Sequence, residues 1–169
     1  MIRDQLKTRR MVLRRVKAAD AAQLHSVFSN ARAMRYWSCP AFVTISQTHD
    51  LLAAMLRSNR DESDEFVLEL AGQVIGKAGA WRLPEVGFIL HPDHWGTGLA
   101  REAMEAIIPH LFAHHDFAAL IADADPRNEA SIGMLLTLGF HETHRAEKTM
   151  QWGTEWCDSV YFRLPRGTP

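Results

Sequence analysis

Residues 86–112, VGFILHPDHWGTGLAREAMEAIIPHLF, limit what this chain can fold into more than any other stretch of it. Val86, Gly87, Phe88, Ile89 and Leu90 form an apolar run too short and too β-branched for a helix of its own. Pro92 then bars continuation of a strand ladder, because it has no N–H to donate. Gly96 and Gly98 follow, with Thr97 between them, and lead straight into a helical pattern. Ala100, Ala103, Met104, Ile107, Ile108, Leu111 and Phe112 recur at three- and four-residue spacing. Pro109, inside that pattern, removes one helical bond and predicts a kink or an early end. Strand, glycine turn and helix start, in that order, make an anion cradle. Glycine lets the main chain approach a ligand, and the first-turn N–H groups face it with the positive end of the helix dipole. A phosphate there gains roughly 0.3–2 kcal/mol from the dipole alone. A tight strand-to-helix turn with no ligand is the other reading of two glycines. The P-loop is excluded, since no Gly-Lys-Ser/Thr follows. So is the Rossmann fingerprint, which needs a third glycine and an early βαβ unit.

The flanking sequence predicts a single domain, 1–169, of the α+β class, and a chain of this length suffices for one sizeable core. Strand alternation over 11–16 opens it. Asp20 is the expected N-cap of a helix running to about residue 30 and burying Ala21, Leu24, Val27 and Phe28. A second helix is expected from Ser46 or Thr48, with Leu51, Leu52, Met55 and Leu56 inward. Strands over 65–70 and 74–83, joined by Ala71, Gly72 and Gln73, lead into the strand 86–90 as an antiparallel meander. An apolar strand over 118–124 follows the central helix. Next comes a helix over 129–138, capped by Asn128 and stopped by Gly139, and then strands over about 140–152 and 159–164.

Bulk properties narrow the function classes. A net charge of −1 provides no basic field of the kind nucleic-acid binding relies on. No apolar run approaches the ~20 residues of a membrane span, and the N-terminus lacks a secretory apolar region. Cys39 and Cys157, the two cysteines, lie far apart in sequence, so a reducing, cytoplasmic setting is expected. His110 and His114 share a helix face. No carboxylate or cysteine at helical spacing completes a site there and His115 is expected to face elsewhere, so no metal is expected.

The wording Trp95-Gly96-Thr97-Gly98-Leu99-Ala100 resembles the Arg/Gln-x-x-Gly-x-Gly/Ala signature of the GNAT family of N-acetyltransferases, with Trp95 in place of the usual first residue. HPDHWGTGLAREA reads most like the RimJ/RimL branch, which modifies ribosomal-protein N-termini. Two later segments match in order, Asp125-Pro126-Arg127-Asn128-Glu129-Ala130-Ser131-Ile132 and Leu138-Gly139-Phe140. Arg10-Met11-Val12-Leu13-Arg14 near the start and Trp156-Cys157-Asp158-Ser159-Val160-Tyr161 near the end extend the resemblance over nearly the whole chain. It implies a mostly antiparallel, twisted mixed sheet with helices on both faces. Acetyl-CoA would occupy the cleft where strand 86–90 splays from strand 118–124.

The resemblance further implies acetyl transfer from acetyl-CoA to a primary amine by direct attack in a ternary complex. Trp95, Gly96, Thr97, Gly98, Leu99, Ala100 and Arg101 would surround the pyrophosphate, and Phe88, Ile89 and Leu90 would pair with the pantetheine arm as an added strand does. Asn128 would bond that arm, cap its helix, or do both. Arg9, Arg10, Arg14 and Arg15 read as a solvated face or as phosphate contacts. Tyr36 and Trp37 are candidate acceptor contacts, because their region lies over the acceptor pocket in that family; a tucked loop cluster is the alternative. The N–H of Ile89 or Leu90 is available in principle to an oxyanion. Glu85 is the candidate general base, a role typically worth roughly 10²–10⁴-fold; a surface carboxylate at a strand end is the other reading. Many family members carry a tyrosine four residues before the Gly-Phe pair, where this chain has Leu135. Ser131 is therefore the candidate near the sulfur, unless it only satisfies a first-turn amide. A coenzyme thiol, with a pKa of about 8.5, needs little help to leave. The expected acceptor is the α-amine of a protein or peptide. The alternatives are a small amine (aminoglycoside, polyamine or amino acid) and a GNAT-fold module that binds acyl-CoA without turnover. A homodimer is common in that family.

Overall fold

The computed structural model describes residues 4–167. Its strands are β1 (Gln5–Lys7), β2 (Met11–Arg14), β3 (Asp64–Leu70), β4 (Gln73–Arg82), β5 (Glu85–Leu90), β6 (Ala119–Ala124), β7 (His141–Trp152) and β8 (Glu155–Pro165). The helices are α1 (Ala21–Phe28), α2 (Ile45–Arg57), α3 (Leu99–His114) and α4 (Glu129–Thr137), with short 3₁₀ turns at Ala18–Asp20 and Pro92–His94. The strands form one sheet in the order β1-β2-β3-β4-β5-β6-β8-β7. Each pairing is antiparallel except β5 with β6, which is parallel and consists of one register pair, Glu85 opposite Ile121. Beyond that pair the two strands separate, and the sheet forks.

Alternation along the strands divides the core between the two faces of the sheet. Leu13, Phe66, Leu68, Ala78, Ala80, Val86 and Leu90 pack with Ala103, Met104, Ile107 and Leu111 of α3 and Leu135 of α4. Val67 and Ile89 pack on the opposite side with Leu24, Val27 and Phe28 of α1 and Leu52 of α2. This is the α+β architecture expected from the sequence, with helices on both faces and the cleft between β5 and β6.

Several local expectations differ from the fold. The helix α3 runs through Pro109 to His114 without ending early. Pro109 lies on its exposed side, and buried Met104, Ile107 and Leu111 hold the helix to the sheet on either side of the lost bond. Asp20 does not cap α1. Its carboxylate accepts from the Lys17 N–H at 2.7 Å and pairs with Arg14 at 2.8 Å, so it braces the preceding 3₁₀ turn. The helix α2 starts at Ile45 behind Thr44, and Gln47 Oε1 accepts from the Val43 and Thr44 N–H groups at 2.7 and 3.1 Å. Thr48 is instead buried within the helix, 2.8 Å from His25 Nδ1. Leu56 is 53% exposed and faces outward.

His115 does not face away from His110. The helix ends at His114, and the extended backbone of His115 (φ −130°, ψ 145°) leaves the helical rotation. Both rings therefore meet one oxygen of Asp64, His110 Nε2 at 3.0 Å and His115 Nε2 at 2.8 Å, while Arg15 reaches the other at 2.6 Å. Burial opposes ionisation of Asp64, but the two imidazole bonds and the Arg15 guanidinium outweigh it and hold the carboxyl well below its ordinary range. Among the described residues no helix is long and apolar enough to cross a membrane, and no group of three or more His, Cys, Asp or Glu converges as metal ligands.

Candidate active site

The glycine loop is built as an anion cradle requires. Gly96 (φ +69°) and Gly98 (φ +78°) are both left-handed, a conformation that side chains disfavour. Gly98 starts α3, and the first helical bond runs from the Glu102 N–H to the Gly98 carbonyl at 3.0 Å. The N–H groups of Leu99, Ala100 and Arg101 precede that bond and have no helical partner. Thr97 Oγ1 donates to the His94 carbonyl at 2.7 Å, so this side chain holds the loop and leaves ligand contact to the main chain.

A clasp absent from the sequence reading fixes this loop from outside. Glu102 Oε1 accepts from Thr8 Oγ1 at 2.6 Å and from the Arg10 N–H at 2.8 Å, and Glu102 Oε2 accepts from Arg10 Nε at 2.7 Å. Arg10 Nη1 continues to the Thr97 carbonyl at 2.9 Å. Partial burial opposes ionisation of Glu102, but the bonds from Thr8 and Arg10 prevail and hold its carboxyl down at about 2. Arg10 is thus a brace behind the loop and not part of a merely solvated basic face. Arg14 pairs with Asp20 and Glu69, and Arg15 with Asp64.

The edge of β5 follows from its register with β4. The His91 N–H donates to the Ile75 carbonyl at 2.8 Å, and antiparallel alternation then turns the main-chain groups of Gly87 and Ile89 toward β4. Those of Phe88 and Leu90 turn to the fork. Of the two amides considered for an oxyanion, Leu90 faces the cleft and Ile89 faces the ladder. Trp95 Nε1 donates to the Leu90 carbonyl at 3.0 Å, which ties the glycine loop to the end of the strand.

A cavity of about 1490 Å³ fills the fork and continues past β5 to the loop that carries Tyr36 and Trp37. Buried Met34 anchors that loop, and its carbonyl accepts from Trp152 Nε1 at 3.1 Å. Tyr36 lies between the guanidinium groups of Arg35 and Arg127, 5.2 and 5.7 Å from its ring centre. Trp37 packs on Phe28 with ring centres 6.2 Å apart, and its ring lies 5.6 Å from Lys77 Nζ. Lys77 is buried in an ion pair with Glu65, and both line the cavity. Arg127 binds Asp125 and Glu155, so this end of the cleft is crosslinked by charge.

Glu85 stands where β5 and β6 join. Its Oε2 accepts from Arg82 Nη2 at 2.8 Å, its side chain is 14% exposed, and it lines the cavity. Asp123 of β6, on the same face of the sheet and lining the same cavity, is its neighbour across the fork, one the sequence reading did not identify. Across the fork, Asn128 caps α4. Its Oδ1 accepts from the Ser131 N–H at 3.2 Å, and its Nδ2 donates to Ser131 Oγ at 3.0 Å. The first bond fixes which way the amide points. Ser131 Oγ therefore acts as an acceptor toward Asn128 and keeps its own proton for another partner. Leu135 is 1% exposed and packs in the core.

Residues 10–141 match the family model described as an acetyltransferase (GNAT) domain. The chain is 27% identical over 166 residues to the uncharacterized N-acetyltransferase YoaA of Bacillus subtilis (strain 168), covering 92% of this chain and 94% of that one. It is 30% identical over 141 residues to spermidine N(1)-acetyltransferase of Escherichia coli (strain K12), covering 76% and 71% respectively. In fold it is similar to RimL, a ribosomal α-N-protein acetyltransferase solved with coenzyme A. That match has a TM-score of 0.84 at 16% identity and covers 95% of this chain and 97% of that one.

Proposed function

We propose that this chain, which belongs to the GNAT acetyltransferase family and is an acetyl-CoA-dependent N-acetyltransferase, acetylates the α-amine of a protein or peptide by direct attack in a ternary complex. The observation that carries this reading is the fork. One cavity joins the glycine loop to Tyr36 and Trp37, and Glu85 lies between them. The acceptor side is rimmed by exposed or half-buried Arg35, Tyr36, Trp81 and Arg127, leaving room for a chain to continue beyond its first residue. A small substrate is more often enclosed. The fold likeness to RimL supports the same acceptor class and the RimJ/RimL branch, and a cytoplasmic location accords with it.

Acetyl-CoA, when bound, supplies the thioester carbonyl that the amine attacks. The main-chain amides of Leu99, Ala100 and Arg101 hold its pyrophosphate, and the fork-facing groups of Phe88 together with the Leu90 carbonyl pair with its pantetheine arm. Glu85 takes the proton released by the amine, directly or through one water. The Leu90 N–H polarises the carbonyl being attacked. As the new N–C bond forms and the C–S bond breaks, the Ser131 hydroxyl donates toward the departing sulfur. Tyr36 and Trp37 contact the acceptor.

A polyamine is the second reading, favoured by the 30% identity to a spermidine acetyltransferase and by the carboxyl groups of Glu85 and Asp123 in one cavity. Thiol release from acetyl-CoA, measured with N-terminal peptides, polyamines, amino acids and aminoglycosides, tests both. Turnover of peptides with a large loss in Glu85→Gln is the expected result. Turnover confined to spermidine or another small amine overturns the peptide reading. Full activity in Glu85→Gln removes Glu85 as the base.

A further inference from the structure

The fork between β5 and β6 carries two carboxyl groups, and only one of them has a part in the chemistry so far. In the sole register pair of these strands Glu85 lies opposite Ile121. Residues alternate along a strand, so Ile121 and Asp123 share a face of β6 while Leu120 and Ala122 enter the core. Glu85, Gly87 and Ile89 occupy the corresponding face of β5. Asp123 is therefore the diagonal neighbour of Glu85 at the point where the strands part, and both line the cavity.

We infer that Asp123 is a positioning residue for Glu85, and that the two carboxyl groups share one proton across the fork. The inference rests on Glu85 being the base. Two carboxyl groups side by side on one face of the fork repel when both are ionised, and one that keeps its proton can donate it to the other. Asp123 is exposed to the open cleft, whose walls screen it only in part from bulk water. Burial, then the charge of Glu85 and the bond to it, raise the Asp123 carboxyl above its ordinary value. In the inferred pair Asp123 carries the proton and its O–H donates to Glu85. Arg82 holds Glu85 Oε2 from β4 at 2.8 Å. These two contacts fix the orientation of the Glu85 carboxylate before an amine arrives. When the amine gives up its proton, that proton bonds to Glu85 and the Asp123 proton stays where it is.

The groups around Asp123 are few. Arg82 is the cation that opposes its rise. Tyr161 lies opposite it on β8, with His144 of β7 stacked on that ring at 4.4 Å, and Arg163 lies opposite Ile121. Asp125, two residues on, is already neutralised by Arg127.

Carbon-13 NMR of labelled Asp carboxyls, titrated in the full-length protein and in Glu85→Gln, tests the shared proton without turnover. The Asp123 midpoint is expected about one pH unit lower in Glu85→Gln, the scale at which two sites titrate as a pair. An unchanged midpoint overturns the inference. Kinetics then tests the positioning. Asp123→Asn keeps an N–H donor toward Glu85 and Asp123→Ala does not, so the alanine variant is expected to lose at least about fivefold more kcat, on the scale of one hydrogen bond. Equal losses overturn it. The wild-type profile of kcat/KM against pH is expected to lose one of two inflections in Asp123→Asn. A profile with the same two inflections argues against a shared proton. A lowered Asp123 midpoint in a Glu85→Gln enzyme that turns over normally would leave the pair standing and remove the base assignment instead.

Discussion

The indole of Trp95 donates to the carbonyl of Leu90 at 3.0 Å, joining the glycine loop to the strand edge that borders the cleft. Trp95 stands where the family signature carries arginine or glutamine, and Arg32 lies 5.4 Å from its ring. The Leu90 carbonyl keeps a second lone pair beside the indole bond, so the pantetheine arm would pair with it and with the groups of Phe88, and the Leu90 N–H stays free for the thioester carbonyl. Trp95→Phe keeps the ring and deletes the donor. Loss of one hydrogen bond of about 1 kcal/mol is expected to raise the Kd for acetyl-CoA roughly fivefold. Calorimetric titration checks this, and an unchanged Kd would mean that the strand end holds its position without the indole.

The clasp behind the loop makes the loop's anchoring sensitive to acid. Glu102 is held at about 2 against an ordinary value of 4.5. A carboxylate with a depressed pKa contributes its full stabilisation above the ordinary value and loses it as pH falls through the folded one. Urea unfolding of wild type and Glu102→Gln is therefore expected to differ most above about pH 4.5 and to converge toward pH 2. At pH 7 the glutamine variant is also expected to bind acetyl-CoA several-fold more weakly, because Arg10 loses the carboxylate that aims it at Thr97.

How legible each part was depended on how local its cause is. Gly96, Gly98, Asn128 and Gly139 announce themselves, since a left-handed turn or a cap is decided within a few residues. The fork between 86–90 and 118–124 was legible through the family resemblance, not through periodicity. Contacts across long separations were not legible. Arg10 and Glu102 are 92 positions apart, and each looks like an ordinary surface charge until the β1–β2 turn is laid against α3. Asp123 read as the end of an apolar strand, because its approach to Glu85 depends on the one parallel register in the sheet. His115 was misjudged since helical spacing was carried one residue past the end of the helix.

Asp64 locks the start of β3 to α3 through His110 and His115. Asp64→Asn leaves two imidazoles and Arg15 around a neutral amide. Breaking a buried charged cluster in this way is expected to cost about 3–5 kcal/mol, read as a drop in urea midpoint or Tm. Its pKa is depressed, so the stabilisation is present above the ordinary 3.8 and fades as the medium becomes more acidic. A variant as stable as wild type at pH 7 would show that the cluster contributes nothing net.

Gly76 decides how closely β4 approaches the strand that borders the fork. A Cβ there would sit 2.1 Å from the Ile89 carbonyl oxygen and 2.9 Å from the Leu90 Cα, both main-chain atoms that no rotamer change can move. Gly76→Ala must therefore push the end of β5 away from β4, toward the cleft. Overpacking of this kind costs about 1–3 kcal/mol, and the displaced edge carries the Leu90 groups that face the cleft. The variant is expected to lose stability and to bind acetyl-CoA more weakly. Gly133→Ala, where the added methyl meets nothing within 4 Å in α4, is the matched control and is expected to keep its stability. Equal behaviour of the two variants in unfolding and calorimetry would mean that β5 can shift without disturbing the cleft.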